Sequence, residues 1–204
     1  MSIETETNRI HQERMQELDL TAFKLLPSAK PPLFHGHTVR KTVSSYFWRK
    51  KLRPFILEQQ GNKCTVCGWR PAEEADIKHL HLHEVERYDF DHKVCHLLSI
   101  QLICRKCHAF HHIIRTEMVS TEEQWADLMA HFIHVNGCSP HIIKKFDWIT
   151  AKALQLEAHA LKEKEKEIAR LAKQPVRYTV HPAIPFSGEM ENQIRRKGLL
   201  YQTE

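Results

Sequence analysis

The chain has 204 residues, of which 42% are hydrophobic, so it can bury one ordinary core with appendages. No apolar run approaches the roughly 18 residues needed to span a bilayer, and no long apolar stretch of a secretory signal opens the chain. We therefore expect a cytoplasmic protein without a membrane partner. The net charge of +5 is modest, but sixteen histidines, eight of them between His79 and His112, favour a metal site.

The N-terminal stretch, residues 1–40, alternates polar and apolar positions without a firm period. It is interpreted as an arm in which a short helix over about 8–19 precedes an extended segment that contains "PSAKPP". This stretch gives no functional signal.

The next stretch, "SSYFWRKKLRPFILEQQG", has apolar residues near helical spacing. A helix is therefore predicted from a cap at Ser44 or Ser45 to Gly61. Pro54 lies inside this pattern, so a kink or a restart near Arg53 is expected.

Positive charge is concentrated in residues 41–70, which hold seven lysines and arginines against one acid. One interpretation is a solvated helix face. The other is a surface that contacts nucleic-acid phosphates, because such charges supply most of the non-specific affinity for nucleic acid. The residues of this segment chosen as candidate contacts are Arg49, Lys50, Lys51, Arg53 and Lys63.

Four of the six cysteines form two CxxC pairs, Cys64 with Cys67 and Cys104 with Cys107. Each pair can present two sulfurs from one tight turn, and zinc favours four thiolates in a tetrahedron. In a reducing compartment this spacing predicts a closed structural zinc site that staples the first helix to the strands that follow. The remaining Cys95 and Cys138 are interpreted as ordinary buried thiols.

Between the two cysteine pairs, "IKHLHLHEVERY" alternates with period two and predicts a strand that has His81 and His83 on one face and Glu84 on the other. After a polar loop, "LLSIQLI" predicts a second strand. "CRKCHAFHHIIRTEM" predicts a knuckle that continues as one helix.

His108 and His112 are spaced i and i+4, so on a continuous helix they share a face. His111 is about 100° away around that helix and poorly placed to join them. One interpretation is that both are polar surface residues. The other is a second, open metal site that His83 completes from the first strand.

Two further helices are predicted beyond residue 119. "STEEQWADLMAHFIHVNG" begins at a Ser120-to-Glu123 cap and ends at Gly137. Ser139 and a following proline start another helix, which runs over about 140–173 and offers either core packing or a surface for a protein partner. The last thirty residues are punctuated by prolines and are expected to be an arm, in part disordered.

The stretch "HLHLHEVERYDFDHKVCHLLSIQLICRKCHAFHH" resembles the HNH endonuclease family, whose fold is a zinc-stapled ββα-metal unit. It is most similar to a subset whose first strand reads "HEV…YD" and whose second leads to "LCxxCH…KH". The resemblance implies an α+β fold with a small ββα-metal unit and a four-cysteine zinc knuckle, flanked by α-helices. We expect four segments: an N-terminal arm over 1–40, an HNH-like zinc- and metal-binding domain over 41–118, a helical extension that packs on it over 119–174, and a C-terminal arm over 175–204.

By this resemblance the family's metal ligands fall on His83, His108 and His112, and its knuckle cysteines fall on the two CxxC pairs. Two positions depart from the family pattern. The histidine that usually acts as general base is replaced by Glu84, for which His81 is a possible substitute. The asparagine that orients this base falls on Ser99.

The resemblance implies hydrolysis of DNA phosphodiester bonds with a second divalent ion, Mg²⁺, Mn²⁺, Ni²⁺ or Zn²⁺, beside the structural zinc. In this mechanism the ion stabilises developing phosphorane charge while a base activates water. The helix from Cys107 would cross the minor groove, and a phage or mobile-element origin is expected. The alternative is a non-catalytic zinc-binding module that binds nucleic acid, or a protein through the 140–173 helix.

Overall fold

A three-stranded sheet organises the structure, a computed structural model that describes residues 20–28, 30–147, 149–150 and 172–202. The strands are β1 (Leu80–Asp89), β2 (Val94–Cys104) and β3 (Arg177–Val180). They lie in the order β1-β2-β3, with β1 antiparallel and β3 parallel to β2. The predicted α+β fold, with two strands leading into a helix and a four-cysteine knuckle flanked by helices, is confirmed.

The hairpin of β1 and β2 is longer than the sequence pattern indicates. Its turn occupies only residues 90–93 and closes through Lys93 at a positive φ of 52°. The polar loop predicted between the two strands, "YDFDHKVCH", is therefore mostly strand. Buried Lys93 donates from its Nζ to the carbonyl oxygens of Ala172 and Gln174, so contacts distant in the sequence hold this turn.

The helix predicted after β2 is two helices, α3 (Arg105–Phe110) and α4 (Ile113–Val119). His112 lies between them with φ −133° and ψ 38°. The carbonyl oxygen of Phe110 accepts a hydrogen bond from the backbone N–H of Ser28 at 2.9 Å. This contact gives Phe110 a partner outside the helix at the point where the helix ends.

The helix over residues 45–59, here called the basic helix, changes geometry near Arg53, where the sequence predicts a kink or a restart. A π-helix, Phe47–Leu52, passes directly into α2, Arg53–Gln59. Pro54 lacks a backbone N–H and is tolerated in the first turn of a helix. Ser44 precedes the first helical residues, 45–46, and its hydroxyl accepts from the backbone N–H of Phe47 at 3.1 Å. The left-handed Gly61 follows the end of α2.

A long helix, α5 (Glu122–Asn136), ends at the left-handed Gly137, as predicted. Its N-cap is Thr121, one residue after the predicted Ser120, and Thr121 forms a capping box with Gln124. Next comes a short 3-10 helix, Pro140–Lys145, capped by Ser139. Most of the predicted 140–173 helix lies outside the described residues, as does the helix predicted over 8–19.

Both segments expected as arms contribute to the core. Leu25 and Phe34 are fully buried, and α1 (Val39–Thr42) follows them. The last segment forms β3 and α6 (Ser187–Arg196), so the expectation of an arm over 175–204 is wrong for its described part. The residues that it buries are Val176, Tyr178, Val180, Ile184, Met190 and Ile194. Among the described residues, no helix has the length and apolar character needed to cross a bilayer.

Ile194→Ala tests this packing. Ile194 has no exposed surface, so truncation leaves a cavity and is expected to lower the free energy of unfolding by about 2–5 kcal/mol. Arg196→Ala is the control, because Arg196 is exposed on the same helix and should change stability by less than about 0.5 kcal/mol. Denaturant titration measures both. Equal midpoints for Ile194→Ala and wild type would contradict the packing of α6.

Candidate functional site

The four paired cysteines converge at one end of the hairpin. Cys64 and Cys67 lie on the turn after α2, Cys104 ends β2, and Cys107 lies in α3. Their sulfurs all lie within 4.8 Å of one another, and those of Cys67 and Cys104 are 3.6 Å apart. A zinc ion with bonds of about 2.3 Å gives tetrahedron edges of about 3.8 Å. This group can hold a metal ion, and its geometry fits zinc.

Hydrogen bonds within the group favour the thiolate form of Cys64, whereas the pKa values of the Cys104 and Cys107 thiols are raised. The backbone N–H of Cys67 points to the sulfur of Cys64, and that of Cys107 points to the sulfur of Cys104, each at 3.5 Å. The pKa of Cys64 falls well below its ordinary value because the side chains of Cys104 and Cys107 hydrogen-bond to its sulfur. Deprotonated sulfur is the form that binds metal.

One residue that the sequence analysis missed contacts this group. His131, on α5, places its Nε2 3.2 Å from the sulfur of Cys107. The sequence separation of 24 residues hides the contact, because only the docking of α5 on α3 creates it. An imidazole N–H that donates to a metal-bound thiolate reduces its excess charge and fixes its position.

His131→Ala is expected to weaken ion retention by the cysteines about 10-fold, since loss of a partner to a ligand typically costs 10–100-fold in metal affinity. His134→Ala is the matched control, because His134 is exposed on the same helix. The measurement is the rate at which a coloured chelator removes zinc from each folded variant. If His131→Ala and His134→Ala release zinc at the same rate, the contact has no role in retention.

Five imidazoles cluster between β1 and the helices that follow β2. The ring centroids of His83, His108 and His112 lie 5.6 Å, 6.5 Å and 4.8 Å apart for the pairs 83–108, 83–112 and 108–112. His81 stacks on His108 at 5.1 Å. The structure therefore brings together the three histidines that the resemblance selects.

His111 lies closer to His83 than any of the others, with ring centroids 3.9 Å apart and planes within 20°. The expectation that it is poorly placed is wrong, because α3 ends at Phe110 and the turn carries His111 inward. Its Nδ1 is 2.9 Å from the Ser28 hydroxyl. Its Nε2 is buried and has no hydrogen-bond partner among the described residues.

The clustered imidazoles favour their neutral form. Burial, followed by repulsion from the other imidazoles, lowers the pKa of His83 to about 3 and that of His108 to about 4. The pKa of His111 falls to about 4 for the same reasons. Neutral rings offer lone pairs to a metal ion. Among the described residues, however, only the cysteine group has three or more potential ligand atoms within 4.8 Å of one another.

Two carboxylates line the same cleft as the histidines. Burial, followed by the charge of Glu86, raises the pKa of Glu84, and Glu84 Oε1 is buried with no hydrogen-bond partner among the described residues. Such a shift makes a carboxylate a stronger base. The Glu86 side chain is only 6% exposed and accepts from Lys30 Nζ at 2.6 Å and from the Tyr88 hydroxyl at 2.7 Å.

Two clefts open on either side of His108. The first, here called the basic cleft, has a volume of about 690 Å³, and its charged and imidazole lining is Arg40, Arg49, Lys50, Arg53, Glu74, Lys78, His81 and His108. The second, here called the histidine cleft, has a volume of about 1230 Å³. Its lining includes Lys30, Arg40, His83, Glu84, Glu86, Gln101, His108, His111, His112 and Arg115.

The clefts separate the two candidate bases. Glu84 lines the histidine cleft with the metal-ligand candidates, whereas His81 lines the basic cleft. Ser99 lines neither cleft; it pairs with Val85, so its side chain lies on the sheet face opposite Glu84. The structure does not bring Ser99 to Glu84. Gln101 lies directly across from His83 instead, and its amide lines the histidine cleft.

Only some of the candidate nucleic-acid residues line a cleft. Arg49, Lys50 and Arg53 line the basic cleft. Arg53 also donates to the carbonyl oxygens of Ile77, which lies before β1, and of Leu80, the first residue of β1. Lys51 forms an ion pair with a carboxylate of α6, and Lys63 lines neither cleft. Three of the five chosen cations thus reach the candidate site.

Comparison with family models, with curated proteins and with solved structures gave no match for this chain.

Proposed function

We propose that the protein is a metal-dependent endonuclease of the HNH type, which hydrolyses phosphodiester bonds of DNA. The observation that carries this proposal is the convergence of His83, His108 and His112 in a cleft that adjoins a cation-lined one. The hairpin supplies the first imidazole, α3 supplies the second, and the break between α3 and α4 supplies the third.

Two ions are part of the proposal. Zinc would occupy the four-cysteine group and hold α3 against the end of β2, which positions His108 one residue beyond the knuckle. A second divalent ion, Mg²⁺, Mn²⁺, Ni²⁺ or Zn²⁺, would be held by His83, His108 and His112. When bound, it supplies positive charge against the developing charge of a phosphoryl transition state.

Glu84 is the proposed general base. It lines the cleft that holds the metal-ligand candidates, and its buried Oε1 has no hydrogen-bond partner among the described residues. His81 stacks on the ring of His108 and lines the basic cleft, where Glu84 is absent. A catalytic base must lie within hydrogen-bond reach of the proton that it removes, and this favours Glu84 over His81.

The basic cleft is the proposed path of the DNA backbone. Its cations outnumber its single acid, Glu74, and they come from α1, from the basic helix and from the 3-10 helix that precedes β1. Phosphate contacts of this kind supply affinity and orientation without reading sequence. A strand lying there would pass His108 and bring one phosphate to the histidine cleft.

The alternative is a non-catalytic zinc-binding module that binds nucleic acid or a protein. One observation favours it. The four cysteine sulfurs lie within 4.8 Å of one another, close enough to share an ion, whereas the histidine rings lie near one another without such a group of ligand atoms among the described residues. Metal stoichiometry separates the two functions. A module binds one ion per chain, and a nuclease binds a second, exchangeable ion.

The test of the proposal is nicking of supercoiled plasmid DNA with each of the four divalent ions added in turn. Wild type is expected to nick in at least one of them, and His83→Ala is expected to be inactive in all. His141→Ala is the control, because His141 is exposed and remote in the chain from both clefts. Equal nicking by wild type and His83→Ala in every ion would overturn the proposal.

A further inference from the structure

Arg40 occupies a position that the sequence analysis did not single out. It lies in α1, a single turn whose N-cap Thr38 accepts from the backbone N–H of Lys41. Its neighbours Val39 and Thr42 are buried, so the backbone that carries Arg40 is anchored on both sides. The arginine side chain itself is exposed.

Three residues line both clefts, and Arg40 is the charged one among them; the other two are Leu82 and His108. The guanidinium carbon lies 5.9 Å from the ring centroid of buried Trp48. At this distance the guanidinium is attracted to the face of the ring, and this contact uses none of its N–H donors.

The charge of Arg40 has no ion-pair partner among the described residues. None of the ion pairs between described residues involves it. Arg40 lines the junction of the two clefts together with His108. An arginine that has no carboxylate partner among the described residues and lines two clefts offers its N–H donors to an anion.

We propose that Arg40 forms a phosphate subsite at the junction of the clefts and contacts the non-bridging oxygens of the phosphodiester group that lies against His108. The planar guanidinium matches two phosphate oxygens with two parallel N–H donors, a geometry that lysine cannot reproduce. That this phosphate is the one cleaved rests on the proposed nuclease function. Binding of an anion by Arg40 does not depend on that function.

The first measurement is titration of the zinc-loaded protein with inorganic phosphate, without other divalent ions, followed by ³¹P NMR. Arg40→Ala is expected to bind phosphate about 10- to 100-fold more weakly than wild type, in line with loss of a charge-assisted hydrogen bond. Arg40→Lys should recover only part of the affinity. Arg87→Ala is the matched control, because it removes the same charge from an exposed position that lines neither cleft.

The second measurement is plasmid nicking. Arg40→Ala is expected to lower kcat about 100-fold or more, with Arg40→Lys intermediate, because a guanidinium at a reacting phosphate is typically worth 10³–10⁵-fold when it acts on the transition state. If Arg40→Ala does not fold, as judged by thermal melting, Arg40→Gln replaces it. Unchanged phosphate affinity in the folded variant overturns the subsite. Wild-type protein that binds phosphate through Arg40 but never nicks DNA overturns the nuclease instead.

Discussion

Cys64→Ser is expected to leave the protein unfolded at room temperature. The serine hydroxyl is a poor zinc ligand, and zinc binding contributes about 10–16 kcal/mol of apparent free energy in small zinc domains. The whole stability of a domain is about 5–15 kcal/mol, so the loss is of the same size. Cys64 is also buried within the main apolar core, where a hydroxyl would need a partner. Circular dichroism and zinc content measure the outcome.

Cys138→Ser is the control for this prediction. Cys138 is a free, half-buried thiol outside the four-cysteine group, so its replacement should leave both zinc content and melting temperature close to those of wild type. A Cys64→Ser protein that melts like Cys138→Ser and retains zinc would show that the knuckle does not support the fold.

Glu84→Gln is expected to reduce nicking by about 10²–10⁴-fold, the range typical of general acid–base assistance. The substitution keeps the shape of the side chain and removes its ability to take a proton. The buried Oε1 of Glu84 has no partner among the described residues, so the amide should be accommodated without loss of folding. Initial rates of plasmid nicking, at the optimal ion for wild type, measure the effect.

His81→Ala distinguishes the two candidate bases. His81 lies in the basic cleft, so its loss should change binding of DNA more than the rate of the bound complex. We expect less than about a 10-fold fall in kcat, below the contribution of a general base. The assignment of Glu84 fails if Glu84→Gln stays active while His81→Ala does not.

Features set by local sequence were predictable. The CxxC spacing placed four cysteines in one group because each turn by itself orients two sulfurs. Alternation placed Leu80 and Leu82 on the buried face of β1, and Gly137 ended α5 because glycine adopts positive φ without strain.

Features set by contacts between distant segments were not predictable. The break after α3 coincides with a hydrogen bond to Ser28, more than eighty residues earlier, and this break carries His111 against His83. β3 has only four residues, too few for a firm period, and its partner strand lies some eighty residues away. Arg40 became a candidate only when the structure showed two clefts meeting beside it.

The parallel pairing of β3 with β2 has a consequence for biosynthesis. Residues 94–97 of β2 pair with residues 177–180, so this edge of the sheet stays open until the ribosome has made a further eighty residues or so beyond β2. An open edge presents unpaired N–H and C=O groups that can recruit strands from other molecules. Nascent protein should therefore be most prone to aggregate before residues 177–180 emerge, and a chaperone that shields β2 at that stage should improve the yield.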